Sequence, residues 1–502
     1  MRNAWYIPPG PLRRVRRLQL KAARADAHGY RHRRGKSISW SKTLSAIPYS
    51  LDDEGLDYRR RFQGLIGVNS KVPIRDRDML SLVYTPGVAE ACLEIERDPL
   101  RSFDLTCRGN TVAILTDGSD LFGRDGGPPE AALPVAEGKS VIFKTFGGID
   151  AFPICLNTHD PARIIDVGCA IAPTFGAICI DDIAAPAAFT IADHLEKAAD
   201  IPVFSNQHHG TAILVLGGLI NSLKIVGKEL RDISVVISGA GIAGIGVGRL
   251  LVRAGVKHVV VCDRAGAIYR YRQERMNWAK SYIAKETNLE GRRGSLRAML
   301  RGADVFIGLS TGNVVTDDMI REMNQDPIVF ALSIPEPEIE PAAARAGGAK
   351  VIATGRSDYP NTMDISLVFP GVFRGLLDSR ARNIRLRTLI YAAQALADMV
   401  RPDELHADYI IPRIFDFRVA PAIAAAVVRG AVEAREAGRE VQPEEVARKT
   451  RSLVYEGRRS SVPANLTQGT LKERALELRI RNGGVLEIRN NIPIRDHHIL
   501  NT

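Results

Sequence analysis

Short apolar runs, each bounded by polar, Gly or Pro residues, recur along the first half of the chain. Such runs are typical of buried strands, and helix-like stretches lie between them, so the pattern predicts an α/β layer. The predicted strands cover residues 111–116, 151–156, 176–180 and 201–204. A longer apolar stretch, residues 211–228, predicts a buried helix that leads into the second half.

The second half repeats the alternation of strands and helices. An apolar run ends at Gly239, and a glycine turn, a helical stretch and another apolar run follow, the last of which stops at Asp263. Further strands are predicted at 304–309, 328–333 and 350–354, and a helical Ala-rich region at 384–437. This order predicts a doubly wound sheet of the Rossmann type.

The glycine turn, Gly239-x-Gly241-x-x-Gly244, predicts a dinucleotide site. Glycines let the backbone approach a pyrophosphate, and the N-terminus of the next helix offers it free N–H groups. Asp263 lies 19 residues after Gly244, the usual offset for an acid that accepts a hydrogen bond from the ribose 2′-OH. A carboxylate there favours NAD, whereas the adjacent Arg264 could instead hold the 2′-phosphate of NADP. The alternative is a tight turn that binds nothing.

Length and composition set the class of protein. A chain of 502 residues predicts two domains plus tails, and 45% hydrophobic with 25% charged residues is typical of a soluble globular protein. The six cysteines form no CxxC pair, which predicts free thiols in a reducing, cytoplasmic compartment. No apolar stretch approaches the roughly 20 residues of a membrane span, so no membrane partner is expected.

The net charge of +11 originates in the N-terminal 50 residues, which hold twelve Lys or Arg and a single acid, Asp26. The remaining chain is balanced, so no nucleic-acid partner is expected. Residues 1–57 are therefore predicted to be a basic, mainly unstructured tail. An Arg-rich, acid-poor tail is also typical of an organelle transit peptide, which is the alternative to a cytoplasmic location.

The C-terminal end resembles an earlier segment of the same chain. Residues 484–502 resemble residues 64–82, and Pro-Ile-Arg-Asp occurs at 73–76 and again 420 positions later. This similarity predicts that 438–502 is an extension containing a partial repeat of 58–82. The repeat would be a truncated module or an arm that contacts a second copy.

From about residue 60 to 430 the chain resembles the malic enzyme family, in its short bacterial form. The motifs that carry the resemblance are SKVPIRDRDMLSLVYTPGVAE (70–90), ALPVAEGKSVIFKTFGGIDAFPICL (132–156), IAPTFGAICIDDIAAP (171–186), HGTAILVL (209–216), VCDRAGAIY (261–269), ATGRSDYPN (353–361) and FPGVFRGLLD (369–378). The resemblance implies an N-terminal α/β catalytic domain over 58–215 and a Rossmann-type domain over 216–437. It implies oxidative decarboxylation of malate, or a related 2-hydroxy acid, to pyruvate and CO2 with NAD or NADP and Mg²⁺ or Mn²⁺. It also implies a homodimer or larger oligomer.

The resemblance assigns roles to two further sets of residues. Tyr84 matches the family's general acid, and Lys139 matches its catalytic lysine, which acts as a base. Asp181 and Asp182 match the first acidic metal-binding pair, where the family has Glu-Asp. The second pair, Asp-Asp in the family, is replaced by Asn206-Gln207. The implied metal ligands are Asp181, Asp182 and Gln207, since hard cations bind carboxylate and amide oxygens.

Other positions also depart from the family pattern. His208 could replace a lost ligand, which would favour a softer metal, and the alternative is that neither His208 nor His209 binds metal. Ile334 replaces a substrate-binding asparagine, and Asp364-Ile365 replace an Asn-Asn pair. Arg124 and Asp125 stand in a segment that is rich in glycine in the family. These replacements leave two hypotheses: an enzyme for malate or a related acid, or a non-catalytic dinucleotide-binding paralogue that regulates or scaffolds an active one.

Overall fold

The computed structural model describes residues 51–121 and 127–456. The chain divides into two compact units, residues 1–61 and 62–502. In the first unit the description begins with helix α1, Leu51–Phe62, so the prediction of a mainly unstructured tail is wrong for residues 51–57. Three arginines, 59–61, occupy the last turn of α1, where positive charge interacts favourably with the helix dipole. The rest of the predicted tail, Arg124, Asp125 and the C-terminal repeat lie outside the described residues.

The first sheet of the second unit has four parallel strands in the order β2-β1-β3-β4. The strands are β1 (Thr111–Thr116), β2 (Asp150–Cys155), β3 (Ala177–Ile180) and β4 (Val203–Ser205). All four predicted strands are confirmed, with ends shifted by one or two residues. Every residue of β1 and β3 is buried, as expected for parallel strands with helices on both faces.

The second sheet has six strands in the order β10-β9-β8-β5-β6-β7. The strands are β5 (Ser234–Ser238), β6 (His258–Asp263), β7 (Gly266–Ala267), β8 (Val305–Gly308), β9 (Ile328–Ala331) and β10 (Val351–Thr354). All pairings are parallel except that of the short β7 with β6. The predicted Rossmann-type sheet is confirmed. Strands β6 and β8 pair with opposite sides of β5, so the strand order reverses at β5. Ligands of such sheets bind at this switch point, outside the carboxyl ends of the strands.

Helices precede, connect and follow these strands. They are α2 (Arg77–Val83), α3 (Val88–Arg97), α4 (Ser102–Leu105), α5 (Leu133–Gly147), α6 (Pro161–Ile171), α7 (Ala187–Ala198), α8 (Thr211–Val226), α9 (Ile242–Ala254), α10 (Trp278–Glu286), α11 (Leu296–Leu300), α12 (Asp317–Arg321), α13 (Pro341–Ala346), α14 (Phe369–Ser379), α15 (Leu386–Ala397), α16 (Val419–Glu433) and α17 (Pro443–Arg451). One large hydrophobic core contains residues of both sheets. A smaller core lies on the other face of the six-stranded sheet.

Helix α8 is the predicted buried helix, and a π-helical turn, Asn206–Gly210, precedes it. Together they form a stretch of 21 residues that is long and apolar enough to cross a membrane by length and composition. The expectation that no apolar segment approaches this length is therefore wrong, because the turn extends the helix. About two thirds of the stretch is buried inside the protein, and the Asn221 amide donates hydrogen bonds of 2.9 Å to two carbonyls deep in the core.

Candidate active site

Three glycines shape the turn between β5 and α9. Gly239 has φ +117°, and a Cβ there would lie 2.2 Å from the Leu309 carbonyl oxygen. A Cβ on Gly244 would lie 1.9 Å from the carbonyl oxygen of Gly239, so close packing of helix on strand requires glycine here. A Cβ on Gly241 would meet no atom within 4 Å. The space beside Gly241 is thus open, at the N-terminus of α9, where a pyrophosphate would bind.

A cavity of about 870 Å³ opens beside this turn. Its lining includes the predicted cofactor residues Gly239, Gly241, Asp263 and Arg264. Arg275 and Lys280 also line it, so three basic side chains surround the end of the cavity near Asp263. Four of the five predicted cofactor residues therefore line a space of the size typical of small-molecule sites, and Gly244 does not line it.

The Asp263 carboxylate already has a full set of donors. Arg272 Nη1 donates to Oδ1 at 2.9 Å, and Arg272 Nη2 donates to Oδ2. Lys280 Nζ donates to Oδ2 at 2.6 Å, and the Ala265 N–H donates to Oδ1 at 2.9 Å. Burial raises the pKa of Asp263, but the bonds from Arg272 and Lys280 outweigh this and lower it to about 2. The contacts of Arg272 and Lys280 with Asp263 were not predicted from the sequence. These residues follow the acid by 9 and 17 positions, and only the path of the folded chain shows that they return to it.

A second group of polar residues lies at the carboxyl edge of the four-stranded sheet. Leu115 pairs with Ile180, and Ile180 pairs with Ser205, so β1, β3 and β4 end side by side. Asp117, Asp181 and Asn206 follow these strand ends directly or after one residue. Parallel strands present their carboxyl ends on one edge, which is why residues distant in sequence meet here.

Lys139 is the centre of this group. Its Nζ contacts Asp181 and lies 3.2 Å from Oδ2 of Asp182, and its side chain is only 15% exposed. Burial alone would lower the pKa of Lys139, but the two carboxylates outweigh burial and raise it. Burial raises the pKa of Asp181 to about 6, against the opposing charge of Lys139. Gln207 joins the group through its Nε2, which donates to Oδ1 of Asp182 at 3.0 Å.

A divalent cation fits the donors at this edge. Asp181 and Asp182 both contact the ammonium group of Lys139, and carboxylate oxygens are the ligands that Mg²⁺ and Mn²⁺ prefer. Asn206 is 0% exposed, and neither its Oδ1 nor its Nδ2 has a hydrogen-bond partner among the described residues. A buried amide with both atoms unsatisfied is costly, which indicates that a ligand completes its bonding. Over residues 51–121 and 127–456, however, no three or more His, Cys, Asp or Glu are grouped closely enough to hold a metal by themselves.

The loop after β1 approaches the same edge. The Asp120 N–H donates to the carbonyl of Asp182 at 3.1 Å, and the Ala184 N–H donates to the Ser119 hydroxyl at 2.8 Å. Burial raises the pKa of Asp120 to about 6, with further contributions from the charges of Asp182 and Asp117. Asp120 is therefore a partly buried acid beside the predicted metal pair, and sequence reasoning missed it.

The two histidines point into the interior. The rings of His208 and His209 lie 4.5 Å apart, and His208 meets Phe189 edge to face at 5.3 Å. A Cβ on Gly246 of α9 would lie 2.4 Å from Cδ2 of His208, so this ring packs against the nucleotide-binding helix. His209 Nδ1 accepts a hydrogen bond from the Ser205 N–H at 3.3 Å. Both rings therefore pack inside the protein, and Nε2 of His208 has no hydrogen-bond partner among the described residues.

Tyr84 has no hydrogen bond to Lys139 among the described residues. It follows α2, its side chain is 68% exposed, and no hydrogen bond of that side chain is found among the described residues. Neither α2 nor α3 has a buried residue. No contact between the two predicted catalytic residues is found in the described part of the chain, and their shared role stays a prediction.

The predicted substrate positions Ile334 and Asp364-Ile365 lie in different surroundings. Ile334 follows β9 and is 69% exposed. Asp364 accepts a hydrogen bond from the Ser366 N–H at 2.8 Å and caps a short 3-10 turn. Ile365 lies 4.0 Å from the position of a Cβ on Gly210, at the end of the π-helical turn. The Asp364-Ile365 pair therefore lies beside the turn that carries Asn206 and Gln207.

The two parallel sheets and the glycine turn define an α/β protein with a Rossmann-type nucleotide domain. Comparison with known families gives matches to the malic enzyme N-terminal domain over residues 63–166 and to the malic enzyme NAD binding domain over residues 208–432. The chain belongs to the malic enzyme family.

Similar proteins extend over most of the chain. The bifunctional malic/malolactic enzyme of Bacillus subtilis (strain 168) is 48% identical over 408 residues, which cover 81% of this chain and 100% of that protein. The NADP-dependent malic enzyme of Escherichia coli (strain K12) is 40% identical over 409 residues, 78% of this chain and 54% of that protein. The crystal structure of malic enzyme from Pyrococcus horikoshii Ot3 has a TM-score of 0.77 and 40% identity, and the match covers 81% of this chain and 97% of that one.

Proposed function

We propose that this protein catalyses the oxidative decarboxylation of malate, or a related 2-hydroxy acid, to pyruvate and CO2 with NAD or NADP and a divalent cation. The observation that supports it most is the buried Lys139 between Asp181 and Asp182, at the carboxyl edge of a parallel sheet. The relatives reported above are named as enzymes, which favours this hypothesis over the non-catalytic one.

The proposed chemistry needs a base for the hydroxyl proton and an acid for the enol carbon. A nicotinamide, once bound, would accept the hydride, and a bound divalent cation would polarise the substrate oxygens and stabilise negative charge on them. Asp181 and Asp182, with the amide oxygens of Asn206 or Gln207, would hold the cation. Lys139 holds its proton tightly while it faces the two carboxylates alone. It becomes a base only when another positive charge neutralises those carboxylates, because its raised pKa depends on their charge.

Tyr84 would supply the proton to the enol carbon. Tyr84 is exposed, and the neighbouring helices α2 and α3 have no buried residues. We therefore propose that the segment containing Tyr84, α2 and α3 packs on a second copy of the chain. Large apolar side chains of this segment are uncovered, among them Val68 at 85% and Leu82 at 67% exposed. A homodimer would bury them and bring Tyr84 of one copy to Lys139 of the other.

The cofactor is a nicotinamide dinucleotide, and the contacts of Asp263 bear on its type. An acid that binds a ribose 2′-OH needs a free oxygen, yet both oxygens of Asp263 are held by Arg272 and Lys280. These cations also neutralise the carboxylate that would repel a 2′-phosphate, and Arg264 and Arg275 line the same cavity. We therefore expect NADP to bind at least as well as NAD, in contrast to the preference for NAD that the sequence predicts.

The function is tested by measuring NADH and NADPH formation from L-malate with Mn²⁺. Lys139→Ala should lower kcat by about 10² to 10⁴-fold, the usual contribution of a general base. Lys144→Ala is the matched control, because Lys144 lies on the same helix but its side chain is 58% exposed and pairs with Asp150. It should retain activity within about twofold. An inactive parent protein, or a fully active Lys139→Ala variant, would refute the proposal.

A further inference from the structure

The segment that leads to Tyr84, residues 64–84, is called the arm below, and it exposes a series of large apolar side chains. Each of them is between 39% and 85% exposed, and they are Ile66, Val68, Val72, Ile74, Leu80 and Leu82. Apolar side chains grouped on a surface in this way mark a contact with another segment or another molecule. In the proposed dimer, the arm makes this contact with a second copy of the chain.

The C-terminal repeat, residues 484–502, carries the same apolar pattern 420 positions later. Five of the exposed apolar positions of the arm correspond to apolar residues of the repeat, which are Leu486, Ile488, Ile492, Ile494 and Leu500. Polar positions between them differ, since Lys71 corresponds to Asn491 and Arg77 to His497. The repeat lies outside the described residues, and its sequence preserves the residues that the arm exposes rather than the residues around them.

The contact of the arm with helix α5 depends on a glycine that the repeat also has. The Leu65 N–H donates to Oε2 of Glu137 at 3.2 Å, and Glu137 precedes Lys139 by two residues on α5. Gly64 has φ +102°, and a Cβ there would lie 3.0 Å from Oε1 of Glu137, so glycine suits this position. In the repeat, Gly484 corresponds to Gly64 and is likewise followed by an apolar residue.

The path of the chain brings the repeat near the same helix. Close to the last described residue, Glu456, the Leu453 side chain lies 3.3 Å from the position of a Cβ on Gly148, directly after α5. Glu137 lies 11 residues before Gly148, which is about 16 Å along the helix. Residues 457–483, which connect Glu456 to the repeat, can span at most about 90 Å. The repeat therefore begins within reach of the helix that carries Lys139.

We propose that the C-terminal repeat occupies, on its own chain, the surface beside α5 that would otherwise receive the arm of a second copy, and that it thereby opposes dimer formation. A segment of the same chain competes at a high effective concentration, so a modest affinity suffices. Because the proposed function takes Tyr84 from the second copy, occupation of this surface also lowers turnover. This inference deepens the proposed function and rests on it for the dimer.

The test places the same substitution at two corresponding positions of the full-length protein, Ile74→Asp in the arm and Ile494→Asp in the repeat. Sedimentation velocity over a range of protein concentrations measures the Kd of the dimer. Ile74→Asp should raise this Kd by at least about tenfold, because it places a charge in an apolar contact. Ile494→Asp should lower the Kd by at least about tenfold, because it removes the competing segment. Leu466→Asp, which lies outside the repeat, is the control and should leave the Kd unchanged.

A peptide with the sequence of residues 484–502 makes the test independent of folding defects. Added to the Ile494→Asp protein, it should raise the dimer Kd toward that of the parent protein, whereas the peptide that carries Ile494→Asp should not. The inference is overturned if Ile494→Asp leaves the Kd unchanged, or if Ile74→Asp does. It is overturned as well if Ile494→Asp raises the Kd, because the repeat would then be a second dimer contact.

Malate turnover at the same protein concentrations separates the inference from the proposed function. Ile494→Asp should increase the specific activity at concentrations where the parent protein is mainly monomeric. If Ile494→Asp strengthens the dimer but no form of the protein turns over malate, only the proposed function is refuted. If the parent protein turns over malate and Ile494→Asp leaves the dimer unchanged, only the inference is refuted.

Discussion

Arg272 and Asp263 form a bidentate ion pair at the end of β6, with Nη1 donating to Oδ1 at 2.9 Å and Nη2 donating to Oδ2. Both side chains are nearly inaccessible, at 4% and 9% exposed. Lys280 adds a third bond to the same carboxylate. The carboxylate of Asp263, at the end of β6, is therefore paired with two cationic side chains. It is not free to accept a hydrogen bond from a ribose hydroxyl.

This arrangement predicts how Lys280 affects the choice of cofactor. Lys280→Gln removes a cation from the cavity wall, so the Kd for NADP should rise by about 10- to 100-fold, since charge-assisted contacts contribute a few kcal/mol. The Kd for NAD should change by less than about threefold, because NAD has no 2′-phosphate. Fluorescence titration of both cofactors measures the two effects. Lys285→Gln, on the exposed face of the same helix, is the control. Equal weakening of both cofactors would contradict this view of the cavity.

The exposed position of Tyr84 predicts complementation between inactive variants. Tyr84→Phe and Lys139→Ala should each be nearly inactive alone. If Tyr84 acts on the second copy, a mixed dimer has one site with both native residues, so an equal mixture refolded together should regain about a quarter of parent activity. Differently tagged chains, captured through both tags, show that mixed dimers have formed. Mixed dimers without activity would show that each copy uses its own tyrosine.

Substitution by alanine should have different effects on stability at Gly244 and Gly241 of the nucleotide turn. Gly244→Ala places a methyl group 1.9 Å from the Gly239 carbonyl, so the free energy of unfolding should fall by about 1–3 kcal/mol. Gly241→Ala meets no protein atom within 4 Å, so its stability should stay near that of the parent protein. Its methyl group enters the space of the pyrophosphate, and dinucleotide affinity should fall at least tenfold. Urea unfolding and cofactor titration of each variant separate the two effects. A fully stable Gly244→Ala would contradict the close packing of α9 on β5.

The buried His209 predicts a loss of stability in mild acid. Burial, with a smaller contribution from Arg249, lowers its pKa to about 4, whereas in the unfolded chain it is about 6.5. The unfolded state therefore binds more protons between these values, and stability falls as the pH drops from about 6.5 toward 4. The expected loss between pH 7 and pH 5 is about 2 kcal/mol from this residue.

Urea unfolding at the two pH values measures this loss. His209→Gln should show a smaller drop than the parent protein, because the titrating group is gone. His194→Gln, which changes an exposed histidine on α7, should keep the drop of the parent protein. If His209→Gln shows the same drop as the parent, other groups cause the acid sensitivity.

The sequence by itself determined most of the secondary structure and the position of the nucleotide turn. The apolar runs 111–116 and 350–354 are strands β1 and β10, because continuous β-branched runs are stable only when both faces are buried. The glycine spacing after β5 sufficed to identify the nucleotide turn, because a Cβ on Gly239 would meet the Leu309 carbonyl and one on Gly244 would meet the Gly239 carbonyl. The family motifs also identified Lys139 and the acids that it contacts.

Only the tertiary structure determined which groups the predicted site residues contact. The sequence shows Asp263 as a candidate ribose acceptor, and only the fold brings Arg272 and Lys280 onto its carboxylate. The motif around Tyr84 indicates catalysis, and only the fold shows that this residue is exposed. Asp120 belongs to no motif, and only the fold shows that its N–H joins the loop after β1 to the loop after β3. The physical reason is the same in each case: local patterns govern backbone conformation and burial, whereas charges act through space on residues that the chain path brings near.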